Sequence, residues 1–352
     1  MSNSKNPLRG RGASDNPVNR FEGNYIDYDV DEETGEKPAP KTKLIADHTN
    51  SVITYNKSED IGFNASINPY RGCEHGCIYC YARPYHEYLG YSSGLDFESK
   101  IIVKYDAPEL LKKELGETKW KPQIIAMSGV TDIYQPIERK LELTRRCLEV
   151  MAEYRNPVGL ITKNYLITRD IDVLCELNDY NCVSVTISIT TLDKDLAGVM
   201  EPRTSRPKRR LEAIKQLSSA GIPVGVNVAP IIPGLTDHEC AKILEKAAAA
   251  GATHAGYTML RLPYKVKDMF SEWLGQHYPE RKKKVLNKIL DIRDGKLNNS
   301  EWGTRMKGEG NFAQQISDLF KVQTKKLGLN ERTQKLTTDH FIRPSGSQLK
   351  LF

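Results

Sequence analysis

Six short runs rich in β-branched and apolar residues recur between positions 63 and 259, with helical stretches between them. That alternation predicts a parallel sheet with helices packed outside it, because a parallel crossover needs a dozen or more residues and a helix fills that length. The expected strands are 63–67, 124–127, 158–162, 183–189, 224–228 and 254–259. Between them, 138–154 carries Leu141, Cys147, Leu148 and Met151 at helical spacing, and 207–220 ends on Gly221 as a C-cap. Thr236 and Glu239 read as a capping box opening a helix that runs to 250. Polar residues gather where the strands end, at 128–132, 163–164 and 190–191. In barrels of parallel strands that end carries the active site. Periodicity alone allows either a doubly wound sheet or a partial barrel.

Length and composition bound the rest. With 352 residues and 39% hydrophobic content, the chain can bury one large domain with extensions. No apolar run reaches the length of a membrane span and the first residues are polar, so the expected setting is cytoplasmic, with no membrane partner. Residues 1–45 are rich in Asn, Ser, Gly, Pro and charge, which predicts a disordered arm carrying Arg9 and Arg11. The core spans 46–263, and charged helices at 267–275 and 279–293 form an extension over 264–330. A flexible tail is expected over 331–352. The net charge of +6 is uneven, concentrated at Arg203, Arg206, Lys208, Arg209 and Arg210 and again at 281–284. Such runs suit a nucleic-acid partner or a solvated face equally well.

The cysteines are the chemical signal. Of seven, Cys147, Cys175, Cys182 and Cys240 are scattered and read as small core residues. The other three, Cys73, Cys77 and Cys80, fall within eight residues. Thiols at that spacing can wrap one face of an iron-sulfur cube and leave a fourth iron open to a small molecule. A tetrahedral zinc site completed by His75 or His86 is the other reading of the same residues.

This spacing, with aromatic Tyr79 between the last two thiols, resembles the radical S-adenosylmethionine (SAM) enzymes. Asn68-Pro69-Tyr70-Arg71-Gly72 before the thiols and Tyr81-Ala82-Arg83-Pro84 after them are similar to the branch that contains spore photoproduct lyase. The resemblance implies an α/β fold, a partial (β/α)6 TIM-type barrel with a helical C-terminal extension and disordered termini. It implies that Cys73, Cys77 and Cys80 ligate a [4Fe-4S] cluster whose fourth iron takes SAM. By the same resemblance Tyr79 lies near the adenine, and Ser128, Thr131 and Asp132 occupy the turn that grips the methionine amino group. Lys163 and Ser188 stand where lyase-like members hold carboxylate and ribose. Tyr81 matches a tyrosine that relays a hydrogen atom, and Arg203 and Arg206 match a segment that suits phosphates. One departure is plain: Ala126-Met127-Ser128 has no thiol where the lyase carries its hydrogen-donating cysteine. That favours a different radical reaction on a related scaffold.

The segment Gln348-Leu349-Lys350-Leu351-Phe352 resembles the short peptide by which bacterial repair and replication proteins dock on the DNA sliding clamp. Leu351 and Phe352 would fill an apolar pocket while Gln348 makes a polar contact, with Leu349 part of the same motif. The reading that follows is a radical SAM enzyme acting on a nucleic acid, DNA favoured, reduced by a flavodoxin or ferredoxin. RNA, a peptide or a small metabolite is the alternative substrate, and a zinc-bearing nucleic-acid module is the non-enzymatic rival.

Overall fold

β-Branched residues dominate the central runs, and in the computed structural model, which describes residues 7–21, 40–331 and 335–344, each run becomes a strand. In chain order the strands are β1 (Lys43–Ala46), β2 (Ile53–Tyr55), β3 (Ala65–Ile67), β4 (Tyr70–Arg71), β5 (Lys100–Val103), β6 (Ile125–Met127), β7 (Val158–Thr162), β8 (Val183–Ile189), β9 (Val224–Ile231) and β10 (His254–Met259). The six expected strands are β3 and β6 to β10, all parallel, in a seven-stranded sheet of order β10-β9-β8-β7-β6-β3-β2. Each strand lies beside its predecessor. A doubly wound sheet reverses its order partway, whereas a run of right-handed crossovers in one direction keeps the helices on one face and curls the sheet. Consecutive outer helices do touch, 107–116 against 143–154 and 143–154 against 171–178. The architecture is an open, partial barrel, with Val185, Ile187, Val226 and Met151 in the core between sheet and helices.

Several local expectations are corrected. The helix over 138–154 is two, Glu138–Leu141 and Leu143–Tyr154, separated by Glu142 in the left-handed region (φ 51°). The buried Glu138 carboxylate causes the break: it accepts the Thr144 amide at 3.1 Å and the Tyr70 hydroxyl. The capping box at Thr236 does not form. Glu239 reaches across to the Thr191 hydroxyl (2.5 Å) and the Leu192 amide (2.7 Å), and the helix begins at Cys240 after a short 3-10 turn.

The small three-stranded sheet β1-β5-β4 is additional, and β1 straddles the expected domain boundary. Residues 7–21, inside the arm expected to be disordered, are packed on the core. Their anchors are polar: Asn16 donates to Asp96 at 3.1 Å, and Asn19 to the carbonyls of Glu87 and Tyr91. Residues 335–344 also leave the expected flexible tail and lie against the core. The Ile342 amide donates to the Tyr154 carbonyl at 3.0 Å, and Arg343 to the Trp120 carbonyl at 2.8 Å. The extension holds helices Val266–His277 and Pro279–Asp291, and a third, Gly310–Lys326, that packs on Cys240–Ala249. Among the described residues no helix is long and apolar enough to cross a membrane.

Candidate functional site

The cysteine loop follows β3 and β4 and turns on two glycines in the left-handed region, Gly72 (φ 81°) and Gly76 (φ 67°). It is held from several sides. The Cys73 amide donates to the Phe97 carbonyl at 2.9 Å, and the Ile78 amide to the Met200 carbonyl at 3.1 Å. Gln135 donates to the Gly72 carbonyl and accepts the Glu74 amide. Arg83 is wholly buried and binds four acceptors: the carbonyls of Cys77 (3.0 Å), Ser93 (3.2 Å) and Gly94 (3.0 Å), and Glu98 Oε1 (2.5 Å). Glu98 in turn accepts the amides of Gly12 and Ala13, which seats residues 12 and 13 against the loop.

All three loop thiols are free, Cys73 and Cys77 buried and Cys80 half-buried. Burial pushes the Cys77 thiol well above its ordinary value; Glu201, Cys80 and Cys73 add to this, and Lys163 opposes it. Burial and Cys73 also raise Cys80. Three thiols gathered in one loop supply the donor chemistry that an iron-sulfur cluster takes. Each thiolate of a cubane cluster binds its own iron. Among the described residues no three His, Cys, Asp or Glu side chains form a group set to hold a metal ion. Of the two histidines of the zinc reading, His75 also hydrogen-bonds Cys73, and His86 Nε2 is buried without a hydrogen-bond partner. His75 faces Asp132 at 3.4 Å and Asn164 at 3.2 Å, and His86 packs edge-on to Phe97.

Polar residues from the strand ends surround this loop. Lys163, after β7, puts its ammonium 6.0 Å from the Tyr79 ring and 3.4 Å from the Ala229 carbonyl. Tyr79 is buried, its hydroxyl donating to Glu201 and 3.1 Å from that of Thr190. Glu201 is paired with the fully buried Arg210, whose other nitrogen donates to the Ser188 carbonyl at 3.1 Å. Burial would raise the Glu201 carboxyl, but Arg210, Lys163 and Tyr79 hold it below its ordinary value. Ser188 is therefore tied through its backbone to the network under Tyr79.

On the other side, Tyr81 donates its hydroxyl to the Gly129 carbonyl at 2.5 Å. Gly129 belongs to the turn after β6, where Ser128 sits at φ 149° and donates to the Thr131 carbonyl; Thr131 donates to the Tyr70 carbonyl at 3.4 Å. Asp132 is a strut between strand ends, accepting Thr162 Oγ1 at 2.7 Å and the Lys163 amide at 2.7 Å. Burial raises its carboxyl, but His75, Thr162 and Lys163 bring it down to about 2. Against the cost of its own burial, the Asp132 charge holds the His75 imidazolium up to about 10.

The loop thiols, Tyr79, Tyr81, the 128–132 turn, Lys163 and Ser188 are thus gathered at one end of the sheet. Of the two arginines, Arg203 is tied to the cysteine loop, its amide donating to the His75 carbonyl at 3.2 Å, whereas Arg206 contacts the 194–198 stretch. Arg203 is paired with Glu74 at 3.0 Å, and Arg206 donates to the Lys194 carbonyl at 2.6 Å and lies across Gly198. Gln348, Leu349, Leu351 and Phe352 fall outside the described residues. Sequence reasoning missed Glu98, Glu201 and the pairing of Arg83 and Arg210. An arginine inside a motif gives no sign that it will be buried, because its partner carboxylates lie elsewhere in the sequence.

Comparison with known proteins agrees with this geometry. Residues 67–247 match the profile of the Radical SAM superfamily. An uncharacterized protein of Mycobacterium tuberculosis is 35% identical over 220 residues, 62% of this chain and 65% of that relative, so the similarity spans somewhat under two thirds of the relative's length. The Radical SAM Nalpha-GlyT isomerase of Pseudomonas phage M6 is 26% identical over 231 residues, 64% of this chain and 46% of that one. Solved structures of spore photoproduct lyase are similar in fold, with a TM-score of 0.57 at 18% identity, covering 81% of this chain and 80% of theirs; one of them contains AdoMet and dinucleoside spore photoproduct.

Proposed function

The chain belongs to the Radical SAM superfamily of enzymes, and on that premise we propose that it binds a [4Fe-4S] cluster through Cys73, Cys77 and Cys80 and modifies or repairs a base in DNA. When bound, the cluster and SAM supply a 5'-deoxyadenosyl radical, formed by one-electron reductive cleavage of SAM and able to abstract a hydrogen atom. The observation that carries the reading is the presentation of three free thiols, with Lys163 beside Tyr79, at the end of the parallel strands where such barrels hold their sites.

The protein's own residues then bind and orient. Lys163 is the cation for the SAM carboxylate, a point charge on a stem that reaches across the strand ends. The turn at Ser128 and Thr131, propped by Asp132, offers backbone carbonyls to the SAM amino group. Ser188 would hold the ribose, and Tyr79, fixed by Glu201 and through it by Arg210, would hold the adenine. Tyr81 is the candidate hydrogen relay, its hydroxyl fixed by Gly129. Because Ala126-Met127-Ser128 carries no thiol at the end of β6, the proposed reaction uses a hydrogen donor elsewhere or differs from that of a lyase.

DNA is supported by two things: the fold shared with a lyase solved with a dinucleoside photoproduct, and the Gln348-Leu349-Lys350-Leu351-Phe352 segment, which suits docking on a sliding clamp. A base taken from a duplex has to be flipped out to reach the radical. A flavodoxin or ferredoxin is the proposed reductant. The test is anaerobic incubation of reconstituted enzyme with reductant, SAM and DNA, followed by digestion and chromatography of the nucleosides. DNA should accelerate 5'-deoxyadenosine release and yield a nucleoside of altered mass or retention. Stimulation by RNA or peptide and none by DNA would overturn the DNA reading. In the same assay, Lys163→Ala should raise the half-saturating SAM concentration roughly tenfold or more, the loss of one charge-assisted contact.

A further inference from the structure

Exposed aromatic rings on a folded protein are usually scattered. Here Phe21, Tyr81, Tyr85, Tyr88 and Tyr264 gather beside the cysteine loop, while Tyr55, Tyr105 and Trp302 are exposed outside that group. Tyr85 and Tyr88 lie in the 3-10 helix Arg83–Leu89, 54% and 65% exposed, with ring centroids 6.5 Å apart. A spacing of three residues stacks side chains on one side of such a helix, so both rings face the same way. Phe21, from the 7–21 segment, stands 4.9 Å from Tyr88 and is 57% exposed. Arg20 is threaded between the rings, its guanidinium 3.7 Å from Tyr264 and 5.0 Å from Phe21. The buried Glu87 carboxylate accepts Arg20 Nε and fixes it from behind. Tyr264 follows β10 and is 57% exposed. In the same loop Arg261 lies 5.2 Å from the ring of Tyr81, the residue after Cys80. Three separate segments therefore meet in a surface of ring faces and arginines that begins beside the thiols.

We propose that this surface is a stacking platform for single-stranded DNA, which leads an unpaired base toward the site. The proposal rests on the nucleic-acid reading above and names how that substrate is held. Ring faces interleaved with arginines match the two chemistries of an unpaired strand: bases stack on the rings while the cations meet the phosphates. A duplex hides its base faces in its own stack and cannot use the rings. Arg20 is already fixed by Glu87 and loses little freedom on binding.

The test uses reconstituted full-length enzyme and a fluorescent single-stranded DNA oligonucleotide of about a dozen nucleotides, within the usual span of such sites. Anisotropy titrations are run beside the same sequence as duplex and as RNA. The single strand should bind more tightly than the duplex. Tyr85→Ala and Tyr88→Ala should each weaken it by roughly tenfold or more, while Tyr88→Phe, which keeps the ring, should bind as wild type. DNA-independent cleavage of SAM in Tyr88→Ala should stay at the wild-type rate, which reports a folded enzyme. Single-strand binding that is unchanged in both alanine variants would overturn the platform and leave the nucleic-acid reading standing. Tighter binding of RNA than of DNA would overturn DNA as the occupant. Absence of binding to any oligonucleotide would overturn both readings together.

Discussion

Arg83 and Cys77 are joined across the cysteine loop: the buried guanidinium donates from Nε to the Cys77 carbonyl at 3.0 Å. The same side chain reaches two further carbonyls and Glu98, so a single planar fork fixes the loop's curvature. Arg83→Lys retains the charge but not the fork, and should reduce iron and sulfide per chain after reconstitution several-fold. Arg83→Ala strands the Glu98 carboxylate in the interior, at a cost of about 3–5 kcal/mol in stability. Wild-type iron content in Arg83→Lys would contradict this role.

Gly12 bears on the same loop from outside. A Cβ there would stand 1.7 Å from the Gly76 carbonyl oxygen, a backbone atom that cannot swing away. Gly12→Ala should displace the 7–21 segment, lower stability by about 1–3 kcal/mol, and speed loss of the cluster absorbance on exposure to a chelator. Gly62→Ala, with nothing within 4 Å of its Cβ, is the control and should leave the rate unchanged.

Glu201 predicts an acid dependence. Its carboxyl is held below the ordinary value of 4.5 by Arg210, Lys163 and Tyr79, against the burial that would raise it. A carboxyl depressed in the folded chain takes its proton more readily when unfolded. Its contribution to stability is therefore complete above that ordinary value and disappears as pH falls through the folded one. Urea midpoints followed by tryptophan fluorescence, with buried Trp273 as a reporter, should fall as pH drops from neutral to about 3. Glu201→Gln should flatten that slope and also lower the midpoint at neutral pH, because Arg210 is left buried without its counter-charge. A slope identical to wild type would exclude Glu201 as its source.

What the sequence discloses follows from the kind of force involved. The strands at 158–162 and 183–189 were legible because apolar burial writes a pattern into adjacent residues. The thiols were legible because one tight loop carries all three close together in sequence. Residues 7–21 were not, since their order comes from single hydrogen bonds to Asp96, Glu87 and Glu98, and composition cannot distinguish such a segment from a disordered one. The split at Glu142 was hidden for a similar reason: the carboxylate of Glu138 overrides an unbroken helical pattern through Tyr70 and Arg169, which are distant in sequence. The thiols and the polar strand-end residues stand out in the sequence as candidates, whereas the Arg210–Glu201–Tyr79 network beside them joins three places in the chain.

The most direct test of the account is reductive cleavage of SAM by the anaerobically reconstituted protein and by its Cys73→Ala, Cys77→Ala and Cys80→Ala variants, with iron and sulfide measured in each sample. The account predicts iron and sulfide in equal amounts and 5'-deoxyadenosine from the wild-type chain, with both the cluster absorbance and the product lost in each variant. Sustained 5'-deoxyadenosine formation by Cys77→Ala, or zinc without iron in a wild-type protein that leaves SAM intact, would contradict it.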